Sequence, residues 1–161
     1  DDIGTAIILS DGAGSIIIGT AEDEKIYESN IESMGQYGDI LTCKSDEEIY
    51  MDGKEIYKYA VKETVKNIEK LLQNSNRTLE DIKYIVPHQS NLKIMKAIAN
   101  RLDIDLGKMF INIQEKGNTF CASIPIALDD MIKQESLKHG DKIILVGYGG
   151  GLNTGSILLE I

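Results

Sequence analysis

The sequence predicts an α/β fold in which a mixed sheet is packed with helices, and three observations lead there. Short apolar runs of strand length alternate with longer stretches whose apolar residues recur every three or four positions. Glycine-bearing turns separate paired apolar runs at both ends of the chain. Between them, Tyr84-Ile-Val-Pro87 reads as a short buried strand that Pro87 closes, because proline cannot continue a central ladder.

The elements follow in order. Thr5–Ser10 and Ser15–Gly19 predict two strands, with Asp11-Gly-Ala-Gly14 as a tight reversal between them. Tyr27–Met34 predicts a third strand and Gly35–Gly38 a turn. Residues 36–53 carry Gly38, Gly53 and the acidic run Asp46-Glu47-Glu48, and read as a solvated loop. From about Lys54 to Leu72, the residues Tyr57, Val61, Val65, Ile68 and Leu72 mark one face of an amphipathic helix. Lys and Glu occupy its other face. Thr78-Leu-Glu-Asp81 is a capping-box-like start for a short helix. Asn91–Leu102 is helical by its stripe of Leu92, Met95, Ile98, Ala99 and Leu102. Phe110–Ile113 predicts a strand and Gly117–Thr119 a turn. A helix follows to about Lys138, with Ile124, Leu128, Met131 and Ile132 inward. Pro125 sits in its first turns, where a missing N–H costs little. Lys142–Val146 and Gly155–Ile161 predict two last strands, broken by Gly149-Gly-Gly151. With no repeat and no low-complexity linker, residues 1–161 read as one domain.

Composition narrows the functional classes. At 161 residues and 42% hydrophobic content the chain can bury a core, and 6% aromatic content makes that core mostly aliphatic. A net charge of −9 argues against general nucleic-acid binding, which needs clustered Lys and Arg against phosphates. No apolar run approaches the roughly 18 residues that span a bilayer, so no membrane partner is expected. Cys43 and Cys121 have no CxxC spacing, which excludes a thiol zinc site and a disulfide framework. A reduced, cytoplasmic setting fits. The chain opens on Asp1 and runs almost directly into an apolar stretch. That start reads as a cut inside a longer protein, although a processed terminus would look the same.

Three features fall where strands end, and such loops carry sites in α/β folds. His88 follows Pro87 within Val86-Pro-His-Gln-Ser-Asn91, a strand-to-helix corner rich in hydrogen-bonding groups. It is either a structural histidine or an imidazole fixed by neighbours that donates to a carbonyl oxygen. Asn118, in a Gly-Asn-Thr turn, is a turn or cap residue, or an amide donor to a developing oxyanion. Gly149-Gly-Gly151 is a tight hairpin, or a backbone that approaches a ligand and points N–H groups at it. It matches neither a dinucleotide nor a phosphate-loop pattern. Cys121 reads as a small residue on a helix's inner face rather than a nucleophile, and Cys43 has no visible activating base. His139, before Gly140-Asp141, reads as a surface helix cap.

Taken together and in order, these segments resemble one family. Asp11-Gly-Ala-Gly14, Val86-Pro-His-Gln-Ser-Asn-Leu92, Gly117-Asn-Thr-Phe-Cys-Ala-Ser-Ile-Pro125 and Gly149-Gly-Gly151 are similar to motifs of the 3-oxoacyl-[acyl-carrier-protein] synthase III family, also called ketoacyl synthase III. It is a thiolase-like branch, and the resemblance covers its C-terminal half. The resemblance implies one half of a five-layer αβαβα sandwich, here a mixed five-stranded sheet packed with helices. It implies a decarboxylative Claisen condensation of an acyl-CoA starter with malonyl-acyl-carrier protein, at the start of fatty acid synthesis. In the family a Cys of the N-terminal half attacks the acyl-CoA. By motif match, His88 and Asn118 are the catalytic pair that hydrogen-bonds the malonyl thioester carbonyl. The Gly150 N–H matches the oxyanion donor, and Asn91 a residue that holds substrate and the His region. Lys58, Lys93 and Arg101 match basic residues facing the acyl carrier protein.

The resemblance implies no cofactor and no metal, since acyl-CoA and malonyl-acyl-carrier protein are substrates. It implies the N-terminal half as a partner and a homodimer, and a fragment inactive alone in condensation. Two features depart from or widen it. Phe120-Cys121 stands where the family has Ser-Ala, which bears on starter-chain choice. A secondary-metabolite ketosynthase, a hydroxymethylglutaryl-CoA synthase-like enzyme and a non-catalytic half-fold binding module remain as alternatives.

Overall fold

The chain organises itself around one parallel pair of strands. A computed structural model describes residues 7–20, 25–45 and 48–161. Its strands are β1 (Tyr27–Ser33), β2 (Leu41–Thr42), β3 (Tyr50–Met51), β4 (Tyr84–Pro87), β5 (Lys142–Gly149) and β6 (Asn153–Glu160). Its α-helices are α1 (Gly53–Asn74), α2 (Leu92–Arg101), α3 (Ile113–Lys116) and α4 (Ser123–Lys133). Four strands form one mixed sheet in the order β1-β6-β5-β4, and β2 pairs β3 separately. β4 runs parallel to β5, while β6 is antiparallel to both of its neighbours.

The α/β class agrees with the sequence reading, but the main sheet has four strands rather than five. Phe110–Ile113 does not extend it. Met109 makes a single parallel bridge to Ile85, and Phe110 N–H donates to Ile85 O at 2.9 Å. The next ladder position is lost because Asn112 N–H donates instead to the Gln89 side chain, at 3.1 Å. The chain then turns into α3.

α1 has an Asp52 cap whose Oδ1 accepts from Lys54 N–H and Glu55 N–H, both at 3.1 Å. Its buried face is wider than the predicted stripe: Val61, Val65, Ile68 and Leu72 are inside, joined by Ile56, Ala60 and Leu71. Tyr57 is exposed, whereas Glu63 and Asn67 are buried. Asn67 Oδ1 accepts from Ser156 Oγ, so part of this helix–sheet contact is polar. With α2, whose Met95, Ile98 and Ala99 point inward, α1 covers one face of the sheet. α4 covers the other face at the β4 end through Ala127 and Met131. Ile132 is 67% exposed, against expectation. α4 also stops at Lys133, not Lys138, because Glu135 turns left-handed (φ 52°) and Ser136 N–H returns to Met131 O. Thr78 and Asp81 do form the capping box, on a 3₁₀ turn.

The opening differs most. Thr5 and Ala6 lie outside the described residues, and the two predicted strands and their reversal do not form over residues 7–20. Ile16, Ile17 and Ile18 are exposed, with no strand among the described residues to pair them. The glycines of Asp11-Gly-Ala-Gly14 serve close approach instead. A Cβ at Gly12 would lie 2.6 Å from a Thr119 methyl carbon, and one at Gly14 would lie 2.6 Å from Pro125 Cβ. The predicted loop over residues 36–53 holds a 3₁₀ turn and the β2–β3 ladder, and Asp46 and Glu47 lie outside the described residues.

Candidate active site

The parallel β4–β5 pair sets the site, at its C-terminal end. Pro87 pairs with Val146, and His88 N–H donates to Val146 O at 2.8 Å, so His88 leaves the ladder beside Gly147 and Tyr148. The ring is mostly buried. Its Nδ1 lies 2.7 Å from Ser123 Oγ at the start of α4, and the Tyr148 ring packs against it in a T-shaped arrangement with centroids 5.6 Å apart. Burial in these surroundings pushes the His88 pKa down to about 4, so the imidazole is neutral near pH 7. Because Nδ1 is engaged, Nε2 is the nitrogen left for a ligand. Burial also raises Tyr148 to about 12, and its phenol meets Ser90 Oγ at 2.5 Å.

Gln89 staples this corner from inside. Its Nε2 donates to Pro87 O at 2.8 Å and to Phe110 O at 3.1 Å, while its Oε1 accepts from Asn112 N–H. The staple joins the His88 corner to the segment that leads into Gly117 and Asn118.

Asn118 is fixed from two directions. Its backbone carbonyl accepts from Ser10 N–H at 2.9 Å, and its side-chain Oδ1 accepts from Phe120 N–H at 3.0 Å. With the carbonyl end of the amide tied, the NH₂ end is the one presented outward. Gly117 has a φ of 71°, and a Cβ there would lie 2.7 Å from Ser10 Cβ. Any other residue would push the Asn118 loop away from Ser10.

The third loop closes the β5–β6 hairpin. Asn153 Nδ2 donates to Gly150 O at 2.8 Å, which orients the loop. A Cβ at Gly149 or Gly150 would meet nothing within 4 Å among the described residues, which leaves that side of the backbone open to them for close approach.

All three loops line one cavity of about 900 Å³. His88, Asn91, Asn118 and Gly150 are in its wall, with Ile31, Leu41, Met51 and Ile94 among the apolar residues around them. Asn91 also caps α2, where its Oδ1 accepts from Lys93 N–H at 2.8 Å. Lys58, Lys93 and Arg101 are exposed and do not line the cavity. Lys58 is paired with Glu55 at 2.6 Å, an exposed contact of small energetic weight. Cys121 is exposed on the cavity wall rather than packed inward, and Cys43 lies on the same wall. His139 lies beyond the end of α4, so it does not cap it; its Nε2 accepts from Lys25 Nζ at 2.9 Å. No group of metal-ligating side chains occurs among the described residues, and no described helix is long and apolar enough to cross a membrane.

Sequence reasoning missed Ser123, Gln89, Tyr148 and Asn153 as residues that hold the site. Ser123 and Gln89 lie inside the quoted motifs, which was the available signal. Their contacts join segments distant in the chain, and spacing does not reveal those.

A mixed sheet backed by helices, with imidazole, amide and glycine loop grouped at strand ends, has the architecture of a thiolase-like half. The family model described as 3-oxoacyl-[acyl-carrier-protein (ACP)] synthase III C terminal matches residues 72–161. Beta-ketoacyl-[acyl-carrier-protein] synthase III of Clostridium acetobutylicum is 41% identical, over 99% of this chain and 53% of its own. The crystal structure of 3-oxoacyl-[acyl-carrier-protein] synthase III from Aquifex aeolicus superposes with a TM-score of 0.84 at 36% identity, over 88% of this chain and 46% of that one. The synthase III structure from Thermus thermophilus superposes with a TM-score of 0.95 at 28% identity, over 100% of this chain and 54% of that one. The chain therefore belongs to the 3-oxoacyl-[acyl-carrier-protein] synthase III family and corresponds to its C-terminal part. It spans about half the length of the curated relatives it matches.

Proposed function

We propose that this chain is the C-terminal catalytic part of a ketoacyl synthase III, which condenses an acyl-CoA starter with malonyl-acyl-carrier protein. The observation that carries the reading is the convergence of His88, Asn118 and Gly150 on one largely apolar cavity. A cavity of about 900 Å³ is within the usual range for a small-molecule site. In the proposed reaction, the bond between the malonyl α-carbon and its carboxylate breaks and carbon dioxide leaves. The bonding electrons pass into the thioester, and negative charge builds on its carbonyl oxygen. Nε2–H of His88 and the Asn118 amide donate to that oxygen. The α-carbon then attacks an acyl group held on a cysteine of the N-terminal half, a carbon–carbon bond forms, and the thiolate departs. The Gly150 N–H stabilises the oxyanion of this second step.

Neutral donors suit a charge that appears only as the reaction proceeds. A nearby cation would also favour the malonate carboxylate in the ground state and hinder loss of carbon dioxide. The depressed pKa of His88 supports this reading, since it keeps the ring uncharged. Asn91 lies on the same wall and positions substrate. Lys58, Lys93 and Arg101 form the landing surface for the acidic carrier protein. Lys93 and Arg101 stand eight residues apart on α2, about 12 Å along its axis. The reading includes the N-terminal half, a homodimer and no cofactor.

The test is substrate choice by a full-length protein carrying this sequence. Supplied with acyl-CoA, it is expected to form the 3-oxoacyl product from malonyl-acyl-carrier protein. No product from that extender, with condensation of acetyl-CoA and an acetoacetyl thioester into a hydroxymethylglutaryl thioester, would favour the other branch of the superfamily.

A further inference from the structure

We propose that Ser123 is a positioning residue that sets the His88 tautomer, keeping the ring proton on Nε2, where it faces the cavity. The inference deepens the proposed function and rests on its reading of His88 as a donor.

Ser123 borders the cavity but is only 2% exposed, so its hydroxyl has little access to water. Its Oγ accepts from Gln89 N–H at 3.3 Å and lies 2.7 Å from His88 Nδ1. Among the described residues no other hydrogen-bond partner stands against this oxygen. With Gln89 as donor, the serine proton has one acceptor in reach, the Nδ1 lone pair. If Nδ1 carried the proton instead, the serine O–H would be buried without a partner, a costly arrangement. The pairing therefore favours Ser123 O–H donating to Nδ1, with the imidazole proton on Nε2.

Two further contacts make the arrangement rigid. His88 N–H is anchored on Val146 O, and the Tyr148 ring packs against the imidazole at an interplanar angle of 70°. Ser123 itself opens α4, whose Ala127 and Met131 are fully buried, so the hydroxyl is held by the core and not by a loop. Among the described residues no charged group shifts the ring, and burial accounts for its neutrality. The tautomer of a neutral ring is then set by Ser123, because nothing else contacts Nδ1 among the described residues.

The test is nitrogen NMR of this chain with ¹⁵N-labelled histidine, with His139→Gln present so that one ring remains. At pH 7 the wild-type ring is expected to show a protonated Nε2 and an unprotonated, hydrogen-bonded Nδ1. Ser123→Ala is expected to shift both ring nitrogens toward an averaged mixture, and Ser123→Thr, which keeps the hydroxyl, to restore the split. A wild-type ring protonated on Nδ1, or a split unchanged in Ser123→Ala, overturns the proposal; the wild-type spectrum decides even if the alanine variant does not fold. In the full-length protein, Ser123→Ala is expected to lower carbon dioxide release by roughly 10-fold or more, the scale of losing an outer hydrogen-bond partner, with KM for malonyl-acyl-carrier protein unchanged. If His88→Ala leaves carbon dioxide release intact, the functional reading fails, while the spectrum still judges the tautomer separately.

Discussion

Replacing His88 by Ala in a full-length protein carrying this sequence is expected to cut carbon dioxide release from malonyl-acyl-carrier protein by about 10²- to 10³-fold, the usual cost of one oxyanion donor. Asn118→Ala is expected to do the same. Neither change should slow acylation of the nucleophilic cysteine by acyl-CoA by more than a few-fold. The asymmetry follows from where charge appears. Both donors end on the cavity, with His88 tied back at Nδ1 and Asn118 tied back at Oδ1. In the proposed reaction they serve the oxygen that becomes negative as carbon dioxide leaves, and that oxygen is absent during acylation. The double variant is expected to lose less than the product of the two single losses, because the donors act on one atom. Separate assays of carbon dioxide release and acyl-enzyme formation check this. Equal loss of both steps would count against the assigned roles.

Gln89→Leu is expected to destabilise the fold by roughly 3 kcal/mol, since buried polar groups left unpaired cost about 1–3 kcal/mol each. The side chain is 1% exposed and satisfies Pro87 O, Phe110 O and Asn112 N–H together. Leucine fills the space and serves none of them. Stability of this order is a large share of a domain's usual total of about 5–15 kcal/mol. Urea unfolding of wild type and variant measures the difference, and a loss below about 0.5 kcal/mol, the range of an ordinary surface change, would contradict the staple. The consequence reaches the site, because Gln89 links the His88 corner to the chain entering Asn118.

Much of the fold was legible where local pattern and tertiary use agree. Tyr84–Pro87 is the strand that the sequence predicts, and α1 and α2 lie within two residues of their predicted bounds. Legibility failed where a partner decides. Ile16-Ile-Ile18 has every local mark of a strand, yet a strand needs a neighbour, and none pairs it among the described residues. Phe110–Ile113 looks like a strand, but a side chain, Gln89, takes the N–H that would have continued the ladder. Tyr57 and Ile132 fit their helical stripes and still face solvent, because a stripe gives a direction and not what lies across from it.

The site divides in the same way. His88, Asn118 and Gly150 were visible as polar or flexible residues at strand ends, and family resemblance suggested their roles. Their convergence on one cavity is a property of the fold. So is the change in Cys121, which the pattern put on an inner helix face and which instead stands exposed on the cavity wall.

The central claim is that His88 acts as a neutral donor. The pH profile of carbon dioxide release from malonyl-acyl-carrier protein, measured on the full-length protein, tests it most directly. Burial lowers the His88 pKa from 6.5 to about 4, so the ring is already deprotonated at pH 5 and stays so at higher pH. Tyr148, raised to about 12, does not titrate in that range either. The rate is expected to be flat from about pH 5 to pH 8, with no step near the ordinary histidine value. A rate that rises or falls tenfold across pH 6.5, and loses that step in His88→Gln, would mean that His88 works through its charge and not as a neutral donor.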